Sequence, residues 1–173
     1  MTIANLGPLE FVSGEWIVGD STAPKSKYFK LDRQGLGYWV QGVRAEMIPW
    51  SRFMNLGLSI QASQLGNSRT LARITDLALS LTGSSRHGGG EAYFTATLRS
   101  PYEDWNAHFT RAAKKYDRRE IRLAEAFFAQ VVKCGRAEKL GDPQWVAAAV
   151  EGIAGITAES RNIDGAVGEI VSS

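Results

Sequence analysis

The stretch KYFKLDRQGLGYWVQGV, residues 27–43, decides how the chain is read. Lys27 to Arg33 and Gly37 to Val43 are two runs rich in aromatic and branched residues, the composition of strands. Gly35 and Gly37 lie between them, so a hairpin is the natural reading. Neighbouring strand residues point to opposite faces of a sheet. Tyr28 and Phe29 therefore cannot share one core, nor can Tyr38 and Trp39. Either both faces of the sheet are covered, or one aromatic row is a contact surface.

The pattern extends in both directions. Glu15 to Val18 reads as another strand. Pro49 marks a bend, after which Leu56, Leu58, Ile60 and Ala62 alternate within residues 53–62. Residues 70–82 fit two periods. Leu77, Leu79 and Leu81 alternate as in a strand, while Leu71, Ile74, Ala78 and Leu81 lie at helical spacing. Strand is preferred, because residues 91–99 are a clear strand: Ala92, Phe94, Ala96 and Leu98 share one face, and Tyr93, Thr95, Thr97 and Arg99 the other.

Helix signals dominate beyond Arg99. Ser100-Pro101-Tyr102-Glu103 has the form of a capping box with proline at the first helical position. It predicts a helix over 101–116 with Trp105, Phe109, Ala112 and Tyr116 on one face. The rival is an edge strand in which Trp105, Ala107 and Phe109 alternate. Asp117-Arg118-Arg119-Glu120 is a second box. Ile121, Ala124, Phe128 and Val132 then form a broad apolar stripe, ending at Gly135 or Gly141. Cys134 beside that stripe reads as a buried, inert thiol. Asp142-Pro143 starts a further helix with Trp145, Ala149 and Ile153 on one face. In the tail, Ile163, Val167, Ile170 and Val171 either dock or belong to a disordered end.

The expected fold is α+β, with an antiparallel sheet or small barrel over about residues 10–100 followed by two or three packed helices. Residues 1–157 form one globular domain and 158–173 a C-terminal tail. Over residues 10 to 140 the order of several antiparallel strands and then a long buried helix resembles a pleckstrin-homology-like barrel closed by a helix. That resemblance implies a fold and carries no functional residue with it.

Composition narrows the function. The chain has 173 residues, of which 44% are hydrophobic and 22% charged, enough for one cored domain. Its longest apolar stretch, residues 145–156, is interrupted by Glu151. It falls short of the roughly 20 residues that a membrane-spanning helix needs. The start MTIANLGPLEFVSGEW lacks the basic and apolar regions of a signal peptide. Cys134 is the only cysteine, which fits a reducing, cytoplasmic setting and leaves the core to hold the fold.

No chemical motif is complete. TGSSRHGGGEAYF, residues 82–94, contains the G-x4-G spacing of a P-loop from Gly83 to Gly88. Gly89 and Gly90 then stand where Lys and Ser or Thr would reach phosphate and magnesium. The segment reads as a loop between strands, with Arg86 and His87 as candidate binding residues. His87 and His108 are the only histidines, and no G-x-S-x-G elbow or H-E-x-x-H run accompanies them. Asp104 and His108 would share a face of the first helix. No cofactor and no metal are expected.

The net charge of +2 hides a basic window from Arg111 to Arg122, with six basic and two acidic residues. Arg111, Lys114, Lys115, Arg118 and Arg119 are candidate binding residues there. A continuous helix would place Arg111, Lys115, Arg118 and Arg122 on one stripe able to meet phosphates. Asp117, as a cap, would break it. The leading expectation is a non-catalytic binding or regulatory module contacting a protein partner or its own copy. The alternatives are a small enzyme or ligand carrier with an internal pocket, and nucleic-acid binding through residues 111–122.

Overall fold

The computed structural model describes residues 4–61, 92–111, 116–156, 160 and 162–173. The hairpin of the opening stretch is present. Strands β3 (Lys27–Asp32) and β4 (Gly35–Val40) pair antiparallel across the two-residue connection Arg33-Gln34. Both glycines lie inside β4 and not in the turn, each for lack of space. A Cβ on Gly35 would run into the backbone carbonyl of Ile48, and one on Gly37 would lie 3.1 Å from the Trp39 indole nitrogen.

Strands β1 (Leu9–Val12), β2 (Glu15–Val18) and β5 (Val43–Pro49) complete a five-stranded meander in the order β1-β2-β3-β4-β5. Strands β6 (Gly57–Ile60), β7 (Ala92–Leu98) and β8 (Glu103–His108) form a separate antiparallel sheet in the order β6-β7-β8. The fold is thus α+β, and the described residues form two sheets and no closed barrel. A short 3-10 turn, Trp50–Arg52, leads from one sheet to the other. Met54 N–H donates to the Thr97 carbonyl at 2.9 Å, and Phe53 bridges Leu98.

The inner faces meet through aromatic rings. Phe29 of β3 stands edge-on to Phe94 of β7, with centroids 5.0 Å apart at 80°. Phe94 in turn stands edge-on to Phe128, at 5.0 Å and 84°. Phe128 belongs to helix α1 (Arg118–Lys133), so one ring joins both sheets and the principal helix. All three side chains are fully buried.

Each helix is delimited by local chemistry. The Asp117 capping box is present, with the Asp117 N–H donating to Glu120 Oε2 at 3.1 Å. At the other end Gly135 takes φ +69°. Its N–H donates to the Val132 carbonyl, and that of Arg136 to the Val131 carbonyl, both at 2.9 Å. This double closure is a Schellman motif and needs a left-handed residue. Helix α2 (Pro143–Ala154) begins with Asp142 accepting from the N–H groups of Gln144 and Trp145. Helix α3 (Ile163–Ser172), formed by the tail, buries Val167 and Val171 and is capped by Asn162. The Trp16 indole N–H donates to the Pro143 carbonyl at 3.0 Å, tying β2 to the start of α2.

Two sequence expectations are overturned. Residues 101–116 do not begin a helix at Ser100, because Glu103–His108 is β8 and pairs with β7. Ser100 has φ +59°, outside the extended conformation of a helix cap. Glu103, instead of capping, meets Arg52 at 2.7 Å. The period-two signal wins because Trp105 and Ala107 are thereby turned inward, Trp105 against Phe29 at 6.0 Å. Cys134 is exposed: α1 stops at Lys133, and the thiol lies 3.4 Å from the Ser172 hydroxyl. The expected strand over 70–82 and the loop 83–90 lie outside the described residues.

Replacing Phe94 by alanine removes the ring common to both sheets and α1. We expect a loss of about 3–5 kcal/mol, the usual cost of deleting a buried phenyl ring. Denaturant unfolding followed by tryptophan fluorescence and by far-UV circular dichroism checks this. A loss below about 1 kcal/mol would contradict that packing role.

Candidate functional site

A groove of about 660 Å³ opens between β6, α1 and the start of α3. That volume is within the roughly 300–1,000 Å³ common for ligand clefts. Gly57 and Leu58 form one wall, and Arg122, Glu125, Ala126 and Ala129 the other. Those four helix positions, at i, i+3, i+4 and i+7, share one face of α1. Ser160, Asn162, Ile163 and Asp164 line it from the segment entering α3. Glycine and alanine leave the space open. Leu58, Ala126 and Ile163 make part of it apolar.

Glu125 is the half-buried carboxylate of this groove. Burial raises the proton affinity of its carboxyl above the ordinary glutamate value, and Arg122, one turn earlier on α1, partly opposes that effect. Among the described residues Glu125 has no hydrogen bond or ion pair; the ion pairs there are Lys30–Glu15 and Arg52–Glu103. The Asn162 side-chain oxygen is engaged by the Gly165 N–H at 2.9 Å, which leaves its amide hydrogens available as donors.

Edge chemistry sets β6 apart. Strands β1, β5, β6 and β8 are the sheet edges among the described residues. Of these, β1 carries Glu10, β5 carries Arg44 and Glu46, and β8 carries Glu103 and Asp104. Strand β5 also bulges, since Tyr38 opposes Glu46 while Trp39 opposes Arg44, leaving Ala45 unpaired. Charges and bulges are among the devices that keep an edge from pairing. The sequence of β6, GLSI, has neither. Every second residue of an edge strand directs its N–H and C=O away from its one neighbour. Of β6, Gly57 and Leu58 line the groove.

The outer aromatic row of the five-stranded sheet is the other surface that the sequence raises. Tyr28 and Trp39 do share that face, stacked at 6.2 Å, opposite to Phe29 and Tyr38. It is occupied by its own neighbours. Lys30 Nζ sits 4.4 Å from the centroid of the Trp39 ring and 2.7 Å from Glu15 Oε2. Tyr28 is only 7% exposed. Little of this row is left for a partner.

The sequence-designated residues do not converge on one site. Arg111 follows β8 outside any helix or strand, donating to the Gln61 carbonyl at 3.1 Å and facing Tyr116 at 5.9 Å. Arg118 and Arg119 open α1 after the Asp117 cap, so no single described helix carries Arg111, Arg118 and Arg122 on one stripe. Arg86, His87, Lys114 and Lys115 lie outside the described residues. Asp104 and His108 project from the outer face of β8, where the His108 and Tyr93 rings are 5.3 Å apart. No group of three metal-ligating side chains occurs among the described residues. No helix among them is long and apolar enough to cross a membrane. Of the groove residues, Arg122 is read from the sequence only as part of the basic stripe, and Gly57, Glu125 and Ala129 belong to no motif. Only the spacing of 122, 125 and 129 on a helix was available as a signal.

No protein-family model, curated protein or solved structure matches the chain.

The raised proton affinity of Glu125 has a defined sign in stability. A carboxyl that holds its proton more tightly when folded withdraws stability as pH rises through its titration range. Glu125→Gln should therefore be more stable than the wild type near about pH 7, and this advantage should shrink by about pH 4. Urea unfolding at both pH values checks it; an advantage that grows on acidification contradicts the assignment.

Proposed function

We propose that the protein is a non-catalytic binding module that takes an extended segment of a partner protein into the groove between β6 and α1. One observation carries this reading: the uncharged, unbulged edge of β6 borders an open groove whose far wall is a helix face. An extended chain laid there could continue the ladder of β6 through main-chain hydrogen bonds. Its alternate side chains would meet α1 and the start of α3. This is β-strand addition, in which the backbone supplies affinity and the flanking pockets supply selectivity. The mixed lining of Leu58, Ala126 and Ile163 with Glu125 and Asn162 suits a segment of mixed character.

The test uses a phage-displayed library of random peptides against the wild type and Ala129→Trp. Ala129 is exposed on the groove wall, so an indole there fills the space without entering the core. We expect wild-type protein to enrich peptides whose affinity for Ala129→Trp is lower by at least about tenfold, with the melting temperature unchanged. Enrichment of no peptide, or only of peptides indifferent to Ala129→Trp, overturns the proposal.

A further inference from the structure

The charges along the groove select among the segments that could enter it. Among the described residues its lining holds one cation, Arg122, and two carboxylates, Glu125 and Asp164. Glu125 projects from the middle of α1, where neither helix terminus can compensate its charge. It makes no ion pair with Arg122 or with any other described residue, as noted above. The Asn162 side-chain oxygen accepts from the Gly165 N–H, and its amide group remains a donor at the groove. Leu58, Ala126 and Ile163 supply apolar wall near these charges.

We infer that the partner segment carries a lysine or arginine whose charged end pairs with Glu125 and whose methylene stem lies along Leu58, Ala126 and Ile163. This rests on the peptide-binding reading above. Long basic side chains bury their stems on apolar surface while their heads remain at a polar site, and the groove offers both environments. Burial disfavours the ionised form of Glu125, and an arriving cation reverses that penalty. A bare metal ion is a poorer occupant, because among the described residues no third ligating side chain joins Glu125 and Asp164. Arg122 disfavours an approach from its own side of α1. The basic side chain is therefore expected to enter from the α3 side, past Asp164.

The experiment takes peptides enriched by the wild type in an Ala129→Trp-sensitive manner and measures their affinities by fluorescence polarisation. Each is paired with a version in which lysine or arginine is replaced by norleucine and another in which it is replaced by glutamate. The protein is tested as wild type, Glu125→Gln and Glu125→Lys, with thermal melts confirming that each variant is folded. Expected results are a basic residue in the enriched peptides and an affinity loss of about tenfold on either norleucine substitution or Glu125→Gln, the size of one partly desolvated charge pair. The two losses should not add when combined. Glu125→Lys should bind the glutamate peptide better than the parent peptide. Groove-dependent peptides without a basic residue, or with affinities unmoved by Glu125→Gln, overturn this inference and leave the peptide-binding reading standing. Failure to obtain any groove-dependent peptide overturns both.

Discussion

The edge-on contact between Phe29 and Phe94 lies at the centre of the packing between the two sheets, with Trp105 also against Phe29. Both phenyl rings are buried, and Phe94 presents a second edge to Phe128. Aromatic pairs in this geometry add about 0.5–1.5 kcal/mol to the area they bury. More important is where the rings sit. Phe29 is on an inner strand of the meander, Phe94 is on the central strand of the small sheet, and Phe128 is halfway along α1. The position of α1 against β6 follows from that chain of contacts, and the groove is the space left between them.

Much of this was legible in the sequence. The alternation in YFKL and GYWV gave the two-faced β3–β4 hairpin, and the row from Ala92 to Leu98 gave β7. Asp117-Arg118-Arg119-Glu120 marked the start of α1, and Asp142-Pro143 that of α2. Such signals are local: a cap or an alternation is complete within a few residues. Ser100-Pro101-Tyr102-Glu103 shows how they mislead. It satisfies the composition of a cap, yet Trp105 gains its burial against Phe29, 76 positions earlier in the chain, and that requires a strand. Cys134 is exposed because α1 ends at Lys133, so the apolar stripe does not reach the C-cap residue that precedes Gly135.

The candidate site was far less legible. Its walls come from β6, α1 and α3, which are distant in sequence, and its most informative residues are small. A glycine or alanine that leaves room for a partner has no distinguishing pattern in one sequence. Glu125 looks there like any polar position between buried Ala124 and Ala126. Its environment becomes visible only when β6 and the start of α3 are in place. The residues with conspicuous chemistry lead elsewhere: Arg111 is tied to Gln61, His108 stands on an outer sheet face, and the aromatic row closes on itself through Lys30.

An open edge is a hazard that three of the strands here answer with charge, and β5 also with a bulge. That β6 lacks both, and stands opposite a helix face on which Ala126 and Ala129 leave space beside Arg122 and Glu125, is the central reason for reading this protein as a peptide-binding module. The most direct measurement is amide hydrogen exchange at Gly57–Ile60, with and without a groove-dependent peptide. The account predicts that outward-directed amides of β6 become protected on binding, as they gain strand partners. Protection confined to β4 and β5, or binding that leaves β6 unchanged, would contradict it.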